Sequence, residues 1–127
     1  MLKINFLFVA ALLGGLAVLL GAFSAHALVQ YIDAKALQSF RTGVDYQFYH
    51  VFALLFVGIF YHLKPSKRLY LSGLLFIVGI IIFSGSLYAY ALTGLIHFVM
   101  ITPLGGLAFI IGWVVLASAL FRVNFSE

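Results

Sequence analysis

The chain has 127 residues, 65% hydrophobic and 8% charged, with a formal net charge of +4 and no cysteine. An ordinary soluble domain carries roughly 25% charged residues, so the composition excludes a water-soluble fold; the missing cysteines exclude disulfides, thiolate metal sites and a cysteine nucleophile. The basic residues sit at the ends of apolar runs rather than on one amphipathic face, which argues for membrane topology determinants and against a nucleic-acid partner.

The first apolar run, Ile4 to Ala25, carries no charge. A hydrocarbon core about 30 Å thick takes about 20 residues of helix to cross, so a span over 4–28 is expected. Ala25-His26-Ala27 has the small-x-small form of a signal-peptidase site. The run is nevertheless longer than the roughly 7–15 residues of a signal peptide's apolar region, and the segment reads as a retained span. In the linker from Gln30 to Gly43, continuing to Val44, the residues Ile32, Leu37, Phe40 and Val44 are spaced as one helical face, while Asp33, Lys35, Gln38 and Arg41 lie elsewhere. This pattern predicts a short helix lying at the membrane surface between the first two spans.

The second span is expected over 44–63. It ends at Lys64-Pro65-Ser66-Lys67-Arg68, because Pro65 lacks a backbone donor and disfavours helix at the residue before it. From Leu69 to Phe121 there is no Lys, Arg, Asp or Glu, a stretch long enough for two crossings. Thr93-Gly94 and Thr102-Pro103 supply the break: Gly94 suits a helix end and Pro103 a first turn, which gives spans over 69–92 and 103–122. Lipid requires closed backbone hydrogen bonding, so the fold class is an all-α, four-helix antiparallel bundle within a single membrane domain, 1–127. Lys3, Lys64, Lys67, Arg68 and Arg122 then share one side, against Lys35 and Arg41 on the other. The positive-inside rule places both termini in the cytoplasm of an inner or plasma membrane.

With that alternation, the polar residues of the spans gather in the outer half. They are His26, Asp45, Gln47, Tyr49, His50, Ser84, Ser86 and Thr102, a candidate ligand pocket, because ionisable groups at membrane depth are costly and usually face a bundle interior. Their bland reading is that Asp45 caps the second helix, the histidines bond between helices and the tyrosines join an interfacial belt. No metal site is assigned. His26, His50 and Asp45 are weak candidates, since no two of them show a tight ligand spacing on one helix. His62 and His97 lie near span ends. Gly14, Gly15, Gly21, Gly85, Gly105, Gly106 and Gly112 are the candidate helix-packing positions, several of them in small-x-x-x-small pairs. The Gly105-Gly106 pair requires a close neighbour, expected to be His26 or the turn Ser84-Gly85-Ser86.

Four ordered motifs, Gly21-Ala22-Phe23-Ser24-Ala25-His26, Thr42 to His50, Phe83 to Ala89 and Ile101 to Gly106 with Gly112-Trp113, resemble the YgdD/YwdK-like small bacterial membrane proteins. That family, a domain of unknown function (number 423), is similar to the animal transmembrane protein 256. Ser24 departs from the glycine of the family's first motif. The resemblance implies a multi-pass inner-membrane protein and brings no substrate, reaction or cofactor. Three readings follow: a non-enzymatic accessory or assembly factor, a small-solute or proton carrier using the polar cluster, and a metal- or haem-binding protein. No catalytic motif is present and no cofactor is expected. The expected partners are the lipid bilayer and either further copies of the chain or other membrane proteins.

Overall fold

The computed structural model describes residues 3–123. Helix α1 spans Phe6–His26, α2 Ala34–Leu63, α3 Lys67–Gly79, α4 Gly85–Thr93 and α5 Ile96–Phe121. A five-residue π-helical turn, Ile80–Ser84, joins α3 to α4 without a break, so Lys67–Thr93 is one span. There are four helices long and apolar enough to cross a membrane, and no strand among the described residues. The fold is the all-α arrangement expected.

Side-chain caps set three of the helix starts. The Asn5 side chain accepts a hydrogen bond from the Phe8 backbone N–H at 3.1 Å, Asp33 from Ala36 at 2.8 Å, and Ser66 from Leu69 at 3.1 Å. Gly94 ends α4 with φ 72°, a left-handed backbone that favours glycine, and its N–H bonds the Tyr90 carbonyl at 2.7 Å.

Two expected boundaries are corrected. The segment after Asp33 is helical as its apolar face implied, but it is no separate surface helix: it forms the first turns of α2, which runs unbroken to Leu63. Nothing between Asp33 and Pro65 stops a helix, because its two internal glycines, Gly43 and Gly58, cost only about 1 kcal/mol each. The cap of the second helix is therefore Asp33, not Asp45. The fourth span begins at Ile96 rather than Pro103, leaving Gly94-Leu95 as the whole connection. Pro103 sits inside α5, where its missing N–H leaves the Val99 carbonyl without a helical donor.

Each span packs chiefly on the next in chain order, α1 on α2, α2 on the third span and the third span on α5. The α1–α2 seam is antiparallel with a seven-residue step: Gly58 lies under Leu7, Gly14 under Val51 and Gly21 under Val44. The third span and α5 repeat this in steps of three and four. Gly112 faces Phe76, Gly79 faces Phe109, Gly105 faces Phe83, and Ser86 meets Thr102. Such a period is that of left-handed knobs-into-holes packing, here with aromatic knobs and glycine holes. Two apolar clusters result. The larger contains Phe6, Val51, Leu54, Val57, Phe76 and Phe109. The smaller contains Leu28, Phe40, Val44 and Ala91. Along α2 and the third span, the buried polar residues Gln47, His50, Ser84 and Ser86 lie between the two clusters.

Candidate functional site

Helix α2 supplies the centre of this polar band. Gln47, 1% exposed, donates from Nε2 to the Leu13 carbonyl of α1 at 2.7 Å and accepts at Oε1 from the Tyr88 hydroxyl of α4 at 2.6 Å. One amide thus ties three helices. One turn toward the helix start, the Gly43 carbonyl accepts from the Ser84 hydroxyl at 2.6 Å, and a Cβ at Gly43 would lie 2.7 Å from the Tyr88 ring. The glycine lets both residues reach α2. Between the third span and α5, the Ser86 and Thr102 hydroxyls are 2.6 Å apart. Ser86 also lies 2.9 Å from the Phe83 carbonyl. The Thr102 hydroxyl likewise lies 3.4 Å from the Phe98 carbonyl, and either hydroxyl can donate to the other.

His50 is fixed more tightly still. Its Nδ1 is 2.7 Å from the Tyr46 carbonyl, and its Nε2 is 3.0 Å from the indole nitrogen of Trp113. A carbonyl only accepts and an indole N–H only donates, so Nδ1 carries the proton and Nε2 is bare. The imidazole is neutral in this geometry, with both nitrogens engaged. Its ring stacks on Phe109 with centroids 3.5 Å apart and planes 6° from parallel. Deeper along the same seam, the Ser72 hydroxyl donates to the Gly112 carbonyl at 3.0 Å.

The structure divides the residues proposed from sequence. Gln47, His50, Ser84, Ser86 and Thr102 are buried, and each is bonded across a helix contact. They form separate pairs rather than one pocket. His26, Asp45 and Tyr49 are exposed, Tyr49 at 57%. Asp45 borders a shallow notch of about 230 Å³ that also involves Arg41, Gly21 and Ala25, and none of the five buried residues lines it. Among the described residues, His26 and Asp45 make no side-chain hydrogen bond, and no group of three His, Asp or Glu side chains is placed to hold a metal ion. The weak metal candidates His26, His50 and Asp45 are therefore not brought together. No buried side-chain nitrogen or oxygen among the described residues lacks a partner.

The packing glycines divide as well. Gly105 and Gly112 sit at tight contacts: a Cβ on Gly105 would collide with the Phe83 backbone, and one on Gly112 would lie 2.8 Å from the Phe76 ring. The close neighbour of Gly105-Gly106 is thus Phe83, the residue before Ser84, and not His26. A Cβ on Gly14 would lie 3.3 Å from Val51, and one on Gly21 or Gly106 would make only ordinary contacts at 3.6 and 3.8 Å. Gly15 and Gly85 face open space and pack against nothing in this chain. Four glycines went unassigned from sequence, Gly43, Gly58, Gly73 and Gly79, each under a ring or a leucine. The polar band likewise gains Tyr88 and Trp113, while Ser72 bonds within the stretch of the larger apolar cluster. A readable signal existed for the first two, since an aromatic residue with a polar tip well inside a span needs a partner there. Ser24, the departure from the family motif, is 2% exposed, and its hydroxyl turns back to the Gly21 carbonyl at 2.8 Å.

Comparison with known proteins agrees with this picture of a membrane bundle. Residues 20–106 match the family model described as "Protein of unknown function (DUF423)". The UPF0382 membrane protein of Haemophilus influenzae is 43% identical over 121 residues, covering 95% of this chain and 97% of that protein. The UPF0382 membrane protein YwdK of Bacillus subtilis is 42% identical, over 90% of this chain and 94% of its own length. The UPF0382 inner membrane protein YgdD of Escherichia coli is 35% identical, over 91% and 88% respectively. No solved structure matches. The chain belongs to this family of membrane proteins of unknown function.

Proposed function

We propose that this member of the family is a non-enzymatic inner-membrane protein that works by packing against another membrane protein, as an accessory or assembly factor. The observation that carries the reading is that the buried polar side chains of the described residues are satisfied within the bundle, which leaves none of them unpartnered for a substrate or a conducted ion. What is turned outward is Asp45, with Arg41 about one turn away and Tyr49 on the same face. Asp45 lies about three turns into α2, at membrane depth, where an unpaired carboxylate is costly. A polar group on a neighbouring polypeptide would relieve that cost. In this reading the basic end, with Lys64, Lys67 and Arg68, and both termini are cytoplasmic.

The test is site-specific photocrosslinking in native membranes, with the reactive side chain at Tyr49 on the Asp45 face or at Leu12 on α1. The expected result is a discrete adduct with a different membrane protein from position 49, weakened severalfold by Asp45→Asn and absent from position 12. Adducts only to lipid or to the chain itself would overturn the reading. So would proton or ion flux in liposomes of the purified protein that Asp45→Asn abolishes.

A further inference from the structure

At the basic end of the bundle, a cavity of about 360 Å³ opens where α2 and α5 end and α3 begins. Its walls are the apolar side chains Phe60, Leu63, Leu69 and Ala119, and its rim carries Lys64 and Arg122. We propose that this cavity is a binding site for an anionic phospholipid, with the phosphodiester between Lys64 and Arg122 and the upper acyl chain against the apolar wall.

Charge and depth both favour that occupant. Asp33 and Asp45 lie at the opposite end of the bundle, Glu127 lies outside the described residues, and the sequence has no other acidic residue. Among the described residues, then, no carboxylate stands near Lys64 or Arg122, and neither side chain makes a hydrogen bond. Arg68, by contrast, is committed: it donates to the Ser118 carbonyl at 3.2 Å. The carbonyl ends of α2 and α5 contribute about half a negative charge each, less than the two full cations beside them, and the amino end of α3 adds positive potential. Lys64 and Arg122 follow the last residues of their helices, which puts them at headgroup level when the helices span the bilayer. Basic pockets between spans at this level bind anionic headgroups. The apolar wall distinguishes a lipid from a free anion: Leu63 is 74% exposed directly below the charges and offers an acyl chain a surface that inorganic phosphate cannot use.

The full chain is purified in neutral phosphatidylcholine nanodiscs with a minor fraction of phosphatidylglycerol, and retained lipid is counted by native mass spectrometry. The wild type is expected to keep phosphatidylglycerol selectively and to gain thermal stability when it is added. Lys64→Gln with Arg122→Gln should lower retention at least tenfold, whereas Lys3→Gln with Lys67→Gln, which removes the same charge from residues that do not line the cavity, should leave it unchanged. Equal losses from both pairs would reduce the effect to general electrostatics and overturn the proposal. Equal retention of phosphatidylcholine would also overturn it, as would an equal stability gain from inorganic phosphate alone.

Discussion

His50 shows how a residue that looks functional in sequence becomes structural once its neighbours are known. A histidine inside a span invites a proton relay or a metal, but both ring nitrogens are held, by the Tyr46 carbonyl and by Trp113. Nitrogen NMR of the protein in bilayers at neutral pH should find His50 neutral, with the proton on Nδ1; an Nε2-protonated or fully protonated ring would contradict the hydrogen bonds described. Gln47 makes the same point through energy. Replacing it with Leu keeps the volume but strands the Tyr88 hydroxyl and releases the Leu13 carbonyl. Interhelical hydrogen bonds in membrane proteins average about 0.6 kcal/mol and reach about 1.7, so Gln47→Leu is expected to cost about 1–2 kcal/mol in reversible unfolding from detergent micelles. A change smaller than the error of that measurement would show that the band is not holding the helices.

At the scale of the helix, close approach and not glycine content decides what matters. Gly105→Ala would drive a methyl group into the Phe83 backbone, at the π-helical turn where a rotamer change gives no relief; overpacking of this kind costs about 1–3 kcal/mol. Gly85→Ala, only one residue beyond that turn, meets nothing within 4 Å and should be neutral or gain up to about 1 kcal/mol from helix propensity. Unfolding of the two variants side by side checks the pair, and equal destabilisation would contradict the packing described. The contrast explains what was legible in the sequence. Uncharged runs, Pro65 and Gly94 reveal spans and turns, because lipid thickness and backbone chemistry act on one segment at a time. Gly43, Gly58, Gly73 and Gly79 stay hidden, because their importance comes from a ring on another helix. The segment expected as a surface helix differs for a related reason: Phe40 and Val44 of its amphipathic face, with Ile32, pack in the bundle beside Leu28 and Ala91, and so it continues the second span. Pro103 points to a helix start in sequence because a proline signals only what its own turn lacks, not how many helical residues precede it.

For the whole molecule, α1 packs chiefly on α2 and turns Phe8, Leu12 and Leu19 outward at 61%, 59% and 69% exposure, a surface suited to lipid. The polar band separates a large apolar cluster near the basic end from a small one near the opposite end, and with its buried side chains partnered among the described residues it is expected to be shut to water. Because the chain has no cysteine, single cysteines can report on this directly. Lys35→Cys, Lys67→Cys, Ser84→Cys and Thr102→Cys in native membranes are exposed to a membrane-impermeant thiol reagent, applied first from one side and then from the other. Lys67→Cys should react from the cytoplasm, Lys35→Cys from the opposite side, and Ser84→Cys and Thr102→Cys from neither. Labelling of positions 84 and 102 in the folded protein would reveal a watered path through the band and contradict the closed bundle.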